Sequence, residues 1–281
     1  MMRDGKILPD FIIIGAMKAA TTSLYAMLDR HPQIGMSRDK ETDFFIENNF
    51  ETKWPSYHGQ FTEGFDLYGE ASPNYTKTLV FPQAARRIGE HLPDTKLIYI
   101  LRDPVDRLVS HYGHLYLSRT DVPEPNEVVG TKTWDAIVDA SRYCRQIEAY
   151  RDHYEGGKLM VLDFDIVAKQ PEVALAEVGG FLGVPDGWSD LSAGKENSAS
   201  ELSRLPIWIL KLNEAGLMDG LKRIVPRGLR QRLRRAAAST GEPRTVPPMP
   251  ETVLSQARDA LRQDAEALRR LTGRPFADWT V

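Results

Sequence analysis

Two short stretches of this sequence gather small residues, hydroxyls and isolated cations in patterns that suit anions. The first is Pro9 to Leu28, PDFIIIGAMKAATTSLYAML. Gly15, Ala16, Ala19 and Ala20 keep its middle small, so backbone N–H groups can converge on a phosphate where the dipole of a following helix also favours negative charge. Lys18 puts an ammonium inside that loop, and Thr21, Thr22 and Ser23 open the helix. The second stretch is Thr95 to Tyr112, TKLIYILRDPVDRLVSHY. It sets Arg102 at the end of an apolar run, with Asp103 as N-cap and Pro104 at the first helical position. Ser110 shares a helix face with Arg107. A planar guanidinium and a hydroxyl together suit a dianionic phosphate.

The elements that must position these groups are legible around them. Phe11 to Ile14 reads as a buried strand and Thr21 to Leu28 as a helix, and Lys96 to Leu101 repeats the strand-to-helix junction. Both cation-bearing turns therefore leave the carboxyl ends of strands, the edge at which open α/β sheets bind ligands. Ile34 to Met36 is a further short strand, and Leu159 to Phe164 another. Trp134 to Tyr154 carries one long helical pattern, Pro171 to Leu182 the next helix, and Glu251 to Leu271 an amphipathic one. The polar, proline-containing stretch from Ser118 to Thr133 is a loop. Trp54 to Phe61 is an aromatic-rich loop or short helix.

The 281 residues suffice for one large α/β domain or two small ones. A net charge of −3 gives no global pull towards nucleic acid, so a basic site must be local. Cys144 is the one cysteine and cannot form an internal disulfide. No apolar leader precedes the first strand and no run of 18 apolar residues occurs, from which a cytoplasmic location is expected. His111 and His114 are spaced to share a helix face, but no third ligand accompanies them, and no metal is expected. From Lys222 to Arg235 a dense basic run with interspersed Leu, Ile and Val reads as a solvated helix face, or as a contact with an anionic membrane surface or acidic acceptor.

A nucleoside-triphosphatase loop reads G-x-x-x-x-G-K-[ST], with lysine directly before the hydroxyl residue. Here Thr21 stands in that place and the lysine lies mid-loop. This resembles the 5'-phosphate loop of sulfotransferases that use 3'-phosphoadenosine 5'-phosphosulfate (PAPS), roughly G-x-x-K-x-G-T-[ST], with Ala20 where the family often has glycine. The second stretch is similar to the family's 3'-phosphate motif, R-D-P-x-x-R-x-x-S, at Arg102, Asp103, Pro104, Arg107 and Ser110. Phe181 to Pro185 matches F-L-G-[VL]-P, and Gly273 to Trp279 resembles a terminal G-x-x-x-x-W.

The resemblance implies a single α/β domain over 1–281, with a central parallel sheet flanked by helices in the P-loop-like sulfotransferase fold. It implies sulfuryl transfer from PAPS to a hydroxyl or amine of a carbohydrate, glycolipid or small metabolite, leaving adenosine 3',5'-bisphosphate (PAP). In the heparan sulfate branch, closest in pattern, the E-x-x-F-F glutamate is the general base, which here is Glu41 ahead of Phe44 and Phe45. Lys18 would stabilise the leaving phosphate oxygen, while Lys18, Ala19, Ala20, Thr21, Thr22, Ser23, Arg102, Ser110, Tyr143 and Arg244 would hold the nucleotide. Glu70, Ser72 and Tyr75, in a segment similar to E-x-[ST]-P-x-Y, would face the substrate, and His58 is the rival base. A P-loop kinase dependent on ATP, or a non-catalytic nucleotide-binding scaffold, is the alternative. The acceptor's identity and the oligomeric state are not encoded in any motif.

Overall fold

The computed structural model describes residues 2–3, 6–154, 157–184, 187–188 and 244–281. Two two-residue strands, β1 (Met2–Arg3) and β2 (Lys6–Ile7), pair antiparallel ahead of the main sheet. That sheet holds β3 (Phe11–Gly15), β4 (Ile34–Met36), β5 (Leu67–Ala71), β6 (Lys96–Leu101) and β7 (Leu159–Asp163). Their order is β4-β5-β3-β6-β7, and every pair is parallel. A parallel sheet is covered on both faces, which is why its inner strands read as unbroken apolar runs. All of β3 is buried, as is β6 from Leu97 to Leu101.

The helices are α1 (Thr21–Leu28), α2 (Trp54–His58), α3 (Ala84–His91), α4 (Pro104–Ser118), α5 (Lys132–Asp139), α6 (Tyr143–Arg151), α7 (Phe164–Lys169), α8 (Pro171–Leu182) and α9 (Glu251–Thr272). The sheet and its neighbouring helices share the main core. A second apolar cluster forms where α4, α5 and α9 meet, through Leu108, Tyr112, Ile137, Val138, Ala257 and Leu261. Asp103 caps α4 as expected, accepting from the amides of Val105 and Asp106 at 2.9 Å, with Pro104 in the first turn.

The long helix expected over Trp134 to Tyr154 is instead two, α5 and α6, broken at Ala140 to Arg142. Buried polar bonding replaces helix continuity there. Ser141 Oγ donates to the Ile137 carbonyl at 3.0 Å and accepts from Arg107 Nε at 2.8 Å, while Gln146 Nε2 donates to the Asp139 carbonyl at 2.8 Å. A 3.6-residue periodicity carries no information about such a break.

Because β3 and β6 are adjacent, the two strand-to-helix junctions lie side by side. The register pairs Gly15 with Tyr99, and the Ala16 amide donates to the Ile100 carbonyl at 2.9 Å. The loop bearing Lys18 thus starts against the strand that ends in Arg102.

Candidate active site

The loop from Gly15 to Ala20 is shaped by close approach and by left-handed backbone. A Cβ at Gly15 would collide with Thr76 Oγ1 and the Tyr99 ring, so only glycine fits. Lys18 and Ala20 have φ of 71° and 62°. For alanine that conformation costs on the order of 1 kcal/mol relative to glycine, which accounts for the glycine often found at this place in the family motif. Ala20 is also the N-cap of α1 and offers no side-chain cap, and the first turn holds no acidic residue. The amides that open α1 are therefore left to an anion. Ala19 and Thr21 are buried beneath the loop, and Lys18, Thr22 and Ser23 are half-buried.

Lys18 feels the rest of the site. Burial, then the charges of Arg102 and Lys40, push its ammonium below the usual lysine range, and Glu41 pulls the other way. One lysine thus lies within the electrostatic reach of the second anion motif and of the carboxylate from E-x-x-F-F. Arg102 lies across the Phe164 ring at 4.8 Å and reaches Asp106 at 3.4 Å. Ser110 is one helical turn beyond Asp106 and half-buried. Tyr143 is buried, and its hydroxyl donates to the Arg102 carbonyl at 2.9 Å, so it supports the arginine's backbone from beneath. Beside Arg102 is a cavity of about 480 Å³, walled by Phe164 of α7 and by Arg274, Phe276 and Trp279 of the C-terminal segment. Asp103 Oδ2 accepts from the Thr280 amide at 2.5 Å and fastens that segment down. Arg107 is buried and turned into the protein: it donates to Ser141 Oγ and the Ile137 carbonyl and meets His111 Nδ1 at 3.1 Å. Among the described residues no three metal-ligating side chains gather.

Glu41 forms an ion pair with Lys40 at 2.7 Å on a half-exposed loop. What holds this loop was missed in the sequence. Glu70, Ser72 and Tyr75, expected to face the substrate, are completely buried. Glu70 Oε1 accepts from Tyr57 at 2.8 Å and Tyr75 at 3.3 Å, and Oε2 accepts from Ser72 at 3.0 Å and from Thr42. Ser72 Oγ also accepts from the Asp43 amide at 3.1 Å, and Tyr75 from the Phe45 amide at 3.4 Å. The segment thus clamps the Thr42 to Phe45 turn onto β5, and its polar atoms are spent inside the protein. Phe44 completes the anchor by stacking on Tyr57 at 4.2 Å.

Burial drives the Glu70 carboxyl up to about 7, against the hydrogen bonds from Thr42, Tyr57 and Ser72. Its folded-state pKa is above the unfolded one, so the stability it contributes is complete below about pH 4.5 and is lost as pH rises through about 7. Urea denaturation should record stability declining by the order of 3 kcal/mol from about pH 5 to about pH 8, and Glu70→Gln should flatten that slope. A wild-type slope of the opposite sign over that window would contradict the burial argument.

Two further residues at the site carried no sequence signal. Lys77 Nζ lies 3.2 Å from Met17 Sδ in the Lys18 loop, and burial, then Arg107, lowers it to about 8 while Asp43 and Glu41 oppose. Asp43 sits in the left-handed region with φ of 49°. Its Oδ2 accepts from Asn74 at 2.9 Å, whereas Oδ1 is buried with no hydrogen-bond partner among the described residues. Burial lifts its carboxyl to about 6. Neither belongs to a motif, and each becomes visible only when the 73–77 segment folds over the loop.

Two expected site residues lie elsewhere. His58 has Nδ1 3.0 Å from the Ile7 carbonyl and stacks on Trp54. Ile7 precedes β3, so this histidine belongs to the amino-terminal side of the sheet, away from the loops that follow the strands. Arg244 donates to the Leu117 carbonyl, two turns of α4 beyond Ser110. The basic run from Lys222 to Arg235 lies outside the described residues.

With both anion motifs on one sheet edge, comparison with known proteins becomes decisive. A family model described as sulfotransferase domain matches residues 8–204. The chain belongs to the sulfotransferase domain family. It is similar to the membrane-associated sulfotransferase kil1 of Dictyostelium discoideum, 40% identical over 130 residues, covering 43% of this chain and 26% of that protein. It is also similar to heparan sulfate glucosamine 3-O-sulfotransferase 3B1 of Mus musculus, 28% identical over 195 residues, covering 64% of this chain and 47% of that enzyme. The chain thus spans half or less of the length of these two relatives. A crystal structure of a sulfotransferase from Alicyclobacillus acidocaldarius superposes with a TM-score of 0.53 at 26% identity, covering 69% of this chain and 89% of that one. The α/β fold with its central parallel sheet is that of the family. No helix among the described residues is long and apolar enough to cross a membrane.

Proposed function

We propose that this sulfotransferase-family chain moves a sulfuryl group from PAPS to a hydroxyl or amine of a carbohydrate, glycolipid or small metabolite. The observation that carries the reading is the hydrogen bond from Ala16 to Ile100, which sets two anion-binding junctions next to each other on one sheet edge. A nucleotide with phosphates at both its 5' and 3' positions is the ligand such a pair suits.

The residues present fit it. The uncapped start of α1, with the amides of Ala19 to Ser23 and the hydroxyls of Thr21 and Thr22, suits the 5'-phosphate. Arg102 and Ser110 suit the 3'-phosphate. PAPS supplies the activated sulfuryl group, and PAP is the product. Lys18, whose ammonium feels both Arg102 and Glu41, is suited to neutralise charge growing on the bridging oxygen as the S–O bond to the phosphate breaks. Glu41 takes the acceptor proton as the new bond to sulfur forms. The catalytic burden is positioning and electrostatics, as in phosphoryl transfer through a loose transition state.

A labelled-sulfate transfer assay tests the reading. In it Glu41→Gln should lower turnover by roughly 100-fold, with PAP affinity retained. Full turnover in that variant would remove Glu41 from the role of base. A cytoplasmic location belongs to the same proposal, and cell fractionation checks it.

A further inference from the structure

A second ammonium, that of Lys77, stands against the Lys18 loop, and the fold fixes the backbone that carries it. Lys77 closes the turn that follows β5, and β5 pairs in parallel with β3, so both lysines leave the same edge of the sheet. The turn is bonded to the end of β3: Thr76 Oγ1 donates to the Ile14 carbonyl at 3.1 Å, and the Ser72 amide donates to the Ile13 carbonyl at 3.1 Å. The Tyr150 hydroxyl donates to the Tyr75 carbonyl at 2.9 Å, and the Lys77 carbonyl accepts from the amides of Val80 and Phe81 at 2.9 and 2.8 Å. From this frame the half-buried side chain brings Nζ to 3.2 Å from Met17 Sδ, on the residue directly before Lys18. A thioether is a weak acceptor, so this contact does little to offset the cost of drawing an ammonium partly out of water.

The charges that act on Lys77 locate it further. Glu41 and Asp43 act from the turn after β4, and Arg107 from α4. His111, also on α4, feels Lys77 and Lys18 together, and Lys18 feels Glu41. Lys77 thus touches the loop suited to the 5'-phosphate and lies in the field of the carboxylate suited to the acceptor proton. In an in-line transfer the sulfuryl group occupies the interval between those two, since it is bonded to the phosphate on one side and attacked by the acceptor from the other.

We propose that Lys77 binds the sulfuryl oxygens of PAPS and thereby lets the site tell the loaded nucleotide from the spent one. The inference rests on the sulfuryl-transfer reading and deepens it. PAPS and PAP share the adenosine and both phosphates, which are what the α1 amides, Lys18 and Arg102 suit. They differ in the sulfuryl group, whose non-bridging oxygens carry a negative charge. An ammonium that meets those oxygens gains a charge-assisted hydrogen bond with PAPS and loses it once the group has moved to the acceptor, so the same residue that holds the donor favours release of PAP.

Calorimetry on the full chain, without acceptor, tests this with PAPS and PAP as paired probes. Lys77→Met, which keeps much of the length and packing of the side chain, should weaken PAPS by about 10-fold and PAP by less than about 2-fold. Lys77→Gln, which keeps a donor towards Met17 but no charge, should give the same ratio, and it decides the question by itself if the methionine variant does not fold. Equal losses for PAPS and PAP would mean that Lys77 acts through the shape of the loop. Unchanged PAPS affinity would mean that it offsets Glu41 and Asp43 and meets no nucleotide. Either outcome overturns the inference while leaving sulfuryl transfer standing, whereas a parent chain that binds neither nucleotide overturns both.

Discussion

Lys18→Ala should lower turnover by roughly 100-fold or more while leaving the melting temperature close to that of the parent chain. The ammonium is half-buried, so its charge acts through a medium less polar than water, and no carboxylate pairs with it among the described residues. Its field is therefore free to act on an oxygen that gains charge only as the sulfuryl group departs, which raises turnover more than affinity. Lys18→Arg separates charge from position. The left-handed backbone at φ 71° aims the side chain from a turn three residues past β3, and a longer, planar guanidinium cannot place its charge at the same point. It should recover PAP affinity but only part of the turnover. Rapid-quench measurement of sulfate transfer, with PAP affinity from calorimetry, checks both, and undiminished transfer in Lys18→Ala would show that the loop serves another purpose.

Arg102→Ala should weaken PAPS by about 10- to 100-fold and spare adenosine 5'-phosphosulfate, which lacks the 3'-phosphate. A charge-assisted hydrogen bond to a doubly charged phosphate contributes about 1.5–3 kcal/mol, and that range sets the expected loss. The contacts Arg102 makes in the chain are modest by comparison. Its pair with Asp106 is long at 3.4 Å and partly exposed, and such pairs contribute little to folding. The test lies in the ratio: equal losses for the two nucleotides would mean that Arg102 acts on the fold or on the shared 5' end.

The two anion motifs were legible because each needs only local chemistry. A buried strand, a turn of small residues and a helix start are specified within about 20 residues, so β3, α1, β6 and the Asp103 cap of α4 all stand where the spacing indicates. Glu70, Ser72 and Tyr75 were legible as a group but assigned the wrong direction. A run of polar residues after a strand reads the same whether it faces a ligand or a loop, and burial decides between the two. Here Thr42 and Tyr57, 28 and 13 residues away from Glu70 in sequence, turn it inward. Lys77 and Asp43 illustrate the opposite failure, since neither has a motif and each matters only through neighbours contributed by other segments.

From the sequence alone come strands β3, β4, β6 and β7, helices α1, α4, α8 and α9, the two strand-to-helix junctions and the family, because alternation, capping and loop composition are properties of contiguous residues. Only the folded chain decides that β3 and β6 are adjacent, and that Glu70 is a buried clamp rather than a ligand contact. Those facts depend on contacts between residues far apart along the chain, and the free energy of a buried polar atom depends on what surrounds it in space.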